Sequence, residues 1–292
     1  MSGLCAGRAC AITGAGQGLG RAYAEALVAA GARVVVNDVD GTAVDATVQA
    51  LRDAGGEAVG HVGDASHADG AGSLVGAALD AWGRLDVVVN NAGIARDRML
   101  VNLTEADWDD VLRVHLKSTF LVTQQAAQHW REQAKAGEQL DARVVNTVSS
   151  VGLYGHVGQA NYSAAKGAIA SFTLTVAMEL ERYGVTVNAI CPTALTPMTE
   201  AVGLGESEQA KDGGLDPRWV AAPLVWLASP QSRDVTGRVI VASGTRLAVA
   251  EGWRRGPTGA PVDDPEAVEA AIRPLLDAAD PNADVQGDLP RS

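Results

Sequence analysis

Ala11-Ile12-Thr13-Gly14-Ala15-Gly16-Gln17-Gly18-Leu19-Gly20 joins a short apolar run at 9–12 to an Ala-rich stretch with helical character at 19–30. A strand that turns this tightly into a helix needs residues tolerant of positive φ, and close backbone approach to a pyrophosphate leaves no space for Cβ atoms. The helix beyond offers unpaired N–H groups and the positive end of its dipole. A glycine motif alone also fits an ordinary strand-to-helix turn, so its meaning depends on its surroundings.

Outward from this loop, β-branched runs at 9–12, 33–37, 58–62, 85–90, 143–148, 185–190 and 238–241 alternate with helical stretches at 19–30, 42–54, 68–82, 105–114, 116–132, 160–183 and 217–227. Strand and helix in alternation predict a parallel sheet covered on both faces. The expected fold is therefore α/β, a doubly wound Rossmann-type fold with a seven-stranded parallel sheet flanked by helices.

The 292 residues fit one large domain. A net charge of −12 disfavours a nucleic-acid or anionic-membrane partner, since binding phosphates non-specifically needs a basic surface. No run of about 18 apolar residues and no signal peptide are read, which predicts a cytoplasmic protein. Cys5, Cys10 and Cys191 fall in no ligand spacing, so buried thiols are expected and no metal.

Two segments break the alternation. Residues 135–141 are polar, and 199–216 are rich in Gly, Glu and Ser, so both are expected at the surface. Gly203, Gly205, Gly213 and Gly214 give the second the character of a mobile lid near 197–218. From Gly252 onward, six prolines among Asp and Ala read as a tail with one short helix at 267–276. The division expected is a catalytic domain over 1–251 and a C-terminal arm over 252–292.

Chemistry-bearing residues fall at strand ends. Asp38 follows Gly20 by 18 positions, where a carboxylate can accept hydrogen bonds from an adenosine ribose and repel a 2′-phosphate. No Arg or Lys follows it closely, which favours NAD over NADP; the competing role, a helix cap, could equally fall to Asp40 or Thr42. Asp64 ends the third strand and Asn90-Asn91-Ala92-Gly93 the fourth, on the sheet edge where ligands bind. Ser149 ends the fifth strand, and Tyr162 and Lys166 are spaced i,i+4 on one helix face. A tyrosine with an ordinary pKa of about 10 is a poor base, and a neighbouring ammonium is expected to lower it. The Ser149 hydroxyl could hold a substrate oxygen in line with Tyr162.

Thr13-Gly14-x-x-x-Gly18-x-Gly20, Asn90-Asn91-Ala92-Gly93, Ser149 and Tyr162-x-x-x-Lys166 together resemble the short-chain dehydrogenase/reductase family over about residues 5–245. The resemblance implies that Tyr162 is the acid/base, that Lys166 lowers its pKa and binds the nicotinamide ribose, and that Ser149 orients the substrate. It implies cofactor contacts from Gly14, Gln17, Gly18, Leu19, Gly20, Asp38, Asp64, Ala65, Asn90, Ala92, Gly93 and Pro192, with Asp64 near the adenine and the role of Thr196 open. Val36-Asn37-Asp38, Val114-His115-Leu116 and Gly158 through Lys166 are similar to the (3R)-hydroxyacyl-CoA dehydrogenase part of the peroxisomal multifunctional enzyme and its stand-alone bacterial relatives. This implies 3-hydroxyacyl thioesters as substrates. His115 stands where most family members carry Asn, and is read either as a proton-relay participant or as a buried structural histidine. Homodimers or homotetramers are the family expectation. Two other readings stay open, an NADPH-dependent reductase of 3-oxoacyl or ketone substrates and a nucleotide-binding scaffold without catalysis.

Overall fold

The structure is a computed structural model describing residues 3–196, 200 and 204–289. Its strands are β1 (Ala9–Ile12), β2 (Arg33–Asp38), β3 (Glu57–Val62), β4 (Val87–Asn90), β5 (Ala142–Thr147), β6 (Val185–Pro192), β7 (Val239–Ala242) and β8 (Leu247–Ala250). The helices are α1 (Gly18–Ala29), α2 (Gly41–Asp53), α3 (Ala68–Trp82), α4 (Glu105–Leu112), α5 (Ser118–Lys135), α6 (Ser150–Tyr154), α7 (Ala160–Leu180), α8 (Arg218–Ala228) and α9 (Val268–Ala278). A single-turn helix, Glu208–Lys211, lies in the region read as a lid.

Val34-Val35-Val36 and Val87-Val88-Val89 show why the strands are apolar throughout. Val34, Val36, Val87 and Val89 enter one core with Tyr23, Leu27, Val44 and Leu224, which come from α1, α2 and α8. Val35 and Val88 enter the other with Leu74, Val122 and Val176, from α3, α5 and α7. Alternate side chains of each strand thus bury on opposite faces, as a doubly covered sheet demands.

The strand order is β3-β2-β1-β4-β5-β6-β7-β8. The seven expected strands are parallel to one another. An eighth, β8, returns antiparallel along β7 as a half-exposed edge. Its four residues, Leu-Ala-Val-Ala, are too short and too mildly alternating to stand out in sequence. The order reverses between β1 and β4, and a crevice opens there at the carboxyl ends of the strands.

The helix boundary expected at Leu116 is instead a π-helical turn, Arg113–Lys117, that joins α4 to α5 without a break. The short α6 was not anticipated. In the lid region, Thr199 and Gly203 lie outside the described residues. At the described end of that region Leu215 is fully buried and its carbonyl accepts from Leu195 N at 2.7 Å, and Gly214 O accepts from Gly244 N at 2.9 Å. Cys5, Cys10 and Cys191 are free and buried. No helix among the described residues is long and apolar enough to cross a membrane.

One hydroxyl ties the two sides of the crevice together. Buried Thr13 follows β1, and its Oγ1 accepts from Asn91 N at 2.9 Å and from Ala92 N at 3.0 Å just beyond β4. Thr13→Val keeps the shape and leaves both N–H groups unpaired, each costing about 1–3 kcal/mol. Urea unfolding should show a loss of about 2–4 kcal/mol for Thr13→Val and under about 1 kcal/mol for Thr13→Ser, which keeps the acceptor.

Candidate active site

The glycine loop is built by contact. Gly14 and Gly18 have φ of +61° and +57°. A Cβ on Gly14 would lie 2.8 Å from Ala92 Cα, and one on Gly20 only 2.0 Å from Gly14 O. Asn91 Nδ2 donates to the carbonyls of Thr13 and Gly14 at 3.2 and 3.1 Å, holding the loop against the β4 end. The first turn of α1 has neither a side-chain cap nor an acidic residue, so its N–H groups face an anion site without competition.

Asp38 sits at the end of β2, where its Oδ2 accepts from Gly16 N at 3.1 Å and its Oδ1 from Val39 N at 2.8 Å. It does not cap α2, because Asp40 does so through Thr42 N and Ala43 N. Asp38 Oδ1 also accepts from Asp40 N at 3.3 Å, so Oδ2 is the oxygen that keeps acceptor capacity for a further donor. Asp64, beyond β3, is held by Ser66 on one oxygen and by Arg113 Nη1 on the other, at 3.0 Å. Burial works against its charge, but the Ser66 hydroxyl and amide and the Arg113 guanidinium outweigh it and hold the carboxyl below its ordinary range. Arg113, which also pairs with Asp110 at 3.2 Å, carried no readable signal in sequence.

A cleft of about 1030 Å³ runs from Gly14, Gln17, Gly18 and Leu19 past Asp38, Asp64, Ala65, Ala92 and Gly93 to Ser149, Tyr162, Lys166, Pro192 and Thr196, with His115 on its wall. Two expected residues do not line it. Gly20 lies behind the loop, its missing side chain making room for Gly14. The other is Asn90, whose buried amide donates to Thr123 Oγ1 at 2.9 Å and Asn146 Oδ1 at 2.8 Å, and Asn146 continues to Thr173 at 2.9 Å. That side chain bridges β4, β5, α5 and α7 beneath the cleft floor.

Tyr162 enters the cleft from the first turn of α7. Asn161, fully buried, donates to the carbonyls of Arg96 and Asp107 at 3.1 and 3.3 Å and accepts from Tyr162 N at 2.8 Å, fixing where the helix begins. Gly152 lets α6 cross close to α7, since a Cβ there would meet Lys166 Cβ at 2.5 Å. Ser149, the N-cap of α6, thereby comes within hydrogen-bonding reach of the Tyr162 phenol. Lys166 Nζ donates to Thr147 O at 2.7 Å and lies 5.7 Å from the Tyr162 ring centre.

The electrostatics differ from expectation. Burial pushes the Tyr162 phenol up to about 12, with the Ser149 hydrogen bond opposing only part of the rise. The same burial pushes Lys166 down to about 7. In a site this dry, loss of hydration disfavours the charged form of each group more than their mutual attraction favours it. The phenol is thus the resting form near neutral pH.

His115 is 2 % exposed on the π-helical turn. Its Nε2 lies 3.0 Å from Ile94 N and 2.8 Å from Ile94 O, and its ring meets Tyr162 edge-on at 5.2 Å between centres. A Cβ on Gly93 would come within 2.3 Å of His115 Cε1, so this glycine makes room for the imidazole. Burial, reinforced by Lys166, lowers the imidazole to about 3 and keeps it neutral.

The family description short chain dehydrogenase matches residues 8–207. The chain is 42% identical over 288 residues to hydroxyacyl-CoA dehydrogenase ChsB1 of Mycobacterium tuberculosis, covering 94% of this chain and 90% of that one. It is 40% identical to the peroxisomal hydratase-dehydrogenase-epimerase of Neurospora crassa over 91% of this chain and 28% of that longer protein. A crystal structure of a short chain dehydrogenase from Mycobacterium avium superposes with a TM-score of 0.89 at 44% identity, covering 96% of this chain and 98% of that one. The chain is an oxidoreductase acting on CH–OH groups with a nicotinamide cofactor, and it belongs to the short-chain dehydrogenase/reductase family.

Proposed function

We propose that this chain oxidises the secondary alcohol of 3-hydroxyacyl thioesters with NAD. The observation that carries the reading is the convergence of Ser149, Tyr162 and Lys166 on one end of the cleft whose other end is the glycine loop and Asp38. The thioester class rests on likeness to the M. tuberculosis hydroxyacyl-CoA dehydrogenase along almost the whole chain.

The loop fits a dinucleotide because its backbone is bare of Cβ atoms and the α1 N-terminus is uncapped. Gly14, Gln17, Gly18 and Leu19 would hold the pyrophosphate, Asp38 the adenosine ribose, Asp64 and Ala65 the adenine, and Lys166 the nicotinamide ribose, with Ala92, Gly93, Pro192 and Thr196 closing the sides. Asp38 favours NAD because a 2′-phosphate would bring a second negative charge against its carboxylate. The bound cofactor supplies the hydride acceptor and a positive ring charge.

Ser149 donates to the substrate oxygen and orients it toward Tyr162. Tyr162 takes the hydroxyl proton as the carbonyl forms, and Lys166 stabilises the phenolate while it is charged. In the reverse direction the protonated phenol donates to a ketone. His115 acts as a brace, its Nε2 engaged by Ile94 and its ring set edge-on against Tyr162.

Tyr162→Phe should lower kcat/KM for 3-hydroxyacyl-CoA oxidation, followed as NADH absorbance, by about 10²–10⁴-fold. Unchanged turnover would overturn the assignment. Because the base must be deprotonated and burial raises its pKa, oxidation should accelerate from pH 7 toward pH 10, while ketone reduction should be favoured at neutral pH. A flat profile for oxidation over that range would contradict the role of Tyr162. Asp38→Asn should cut the preference for NAD over NADP by about tenfold, roughly 1.4 kcal/mol, measured as the ratio of kcat/KM.

A further inference from the structure

The C-terminal arm is largely solvated, yet its end returns to the cleft. From Gly252 to Leu289 every residue is exposed except the half-buried Ala271, Leu275, Ala283, Val285 and Gly287, and three of these five fall in residues 283–287. A tight turn at 284–288 accounts for that cluster. Asp284 Oδ1 accepts from Gln286 N and Asp288 N, both at 2.9 Å, and Gly287 N donates to Asp284 O at 2.9 Å.

The turn is fastened to the body at two points. Arg246, between β7 and β8, donates to Gln286 O at 2.7 Å and to Asp288 Oδ2 at 3.0 Å. Gly287, with φ of +84°, lies on Tyr154 at the end of α6, where a Cβ would sit 2.9 Å from the phenol ring. Fastened this way, Val285 and Gln286 line the same cleft as Ser149 and Tyr162, beside Ser243, Thr245 and Arg246. An arginine latch just before the eighth strand and a glycine fitted against an aromatic ring give the turn a defined seat on the body.

We propose that the 284–288 turn is a specificity-determining wall of this chain's own cleft, with Val285 setting the size of the substrate group that fits beside Ser149 and Tyr162. The inference rests on the proposed function for the class of substrate, but not for the position of the wall. Val285 contributes an apolar surface suited to an acyl or alkyl group, and Gln286 lines the cleft next to it. The Arg246–Asp288 pair is exposed, so salt screens it and the wall can open for entry and release.

The experiment compares kcat/KM over a series of 3-hydroxyacyl-CoA esters of increasing chain length for the full-length enzyme, Val285→Trp, Val285→Ala and Arg246→Gln, with the Kd for NADH measured by fluorescence. Val285→Trp should lower the long-to-short ratio of kcat/KM at least tenfold. Val285→Ala and Arg246→Gln should raise that ratio, and all four proteins should bind NADH with the same Kd within twofold. A ratio that stays constant across the variants overturns the proposal, as does an NADH Kd that shifts in step with the activities. If the unaltered enzyme oxidises simple secondary alcohols and no thioester, the proposed function fails. The wall is then judged by the same comparison on alcohols of increasing size.

Discussion

Thr13 Oγ1, accepting two backbone N–H groups from the segment after β4, sets the spacing on which the site depends. It fixes how closely the glycine loop approaches Asn91-Ala92, and Gly14 against Ala92 shows that the approach is already at contact. The α1 N-terminus, Asp38 and the Gly93–His115 contact take their positions from this junction. Because β1 and β4 are neighbours whose connections leave in opposite directions, no helix covers the crevice between their ends, and the ligand surface forms there.

Dryness is the second constraint. Lys166 and His115 are buried and Tyr162 is half-buried beside them, and each is pushed toward its neutral form. A site so arranged holds a protonated phenol at neutral pH. The Asn90-Asn146-Thr173 chain links two strands to the flanking helices through buried hydrogen bonds.

Much of this was legible from the chain. Val34-Val35-Val36 and Val87-Val88-Val89 read as strands buried on both faces, and the glycine spacing placed the first turn correctly. Ser149, Tyr162 and Lys166 were named from spacing and do share one cleft end. That the Asn90 amide turns to the core was not legible, since residue type and strand position do not say whether an amide points up to the cleft or down to the core. Nor does composition show where distant backbone groups meet, as the amides of Leu195 and Gly244 do when they donate to the carbonyls of Leu215 and Gly214.

Local pattern determined the elements, their alternation and the residue types able to do the chemistry, because period, turn residues and capping act within a few positions of each other. Tertiary structure alone decided which groups lose their water and which distant segments meet. It put Arg113 on Asp64 across 49 positions and raised the Tyr162 phenol where an isolated pair would lower it. It also brought Gln286 to Arg246 across 40 positions, at the mouth of the cleft. Desolvation and long-range contact depend on what every other element packs against, and no window of sequence contains that information.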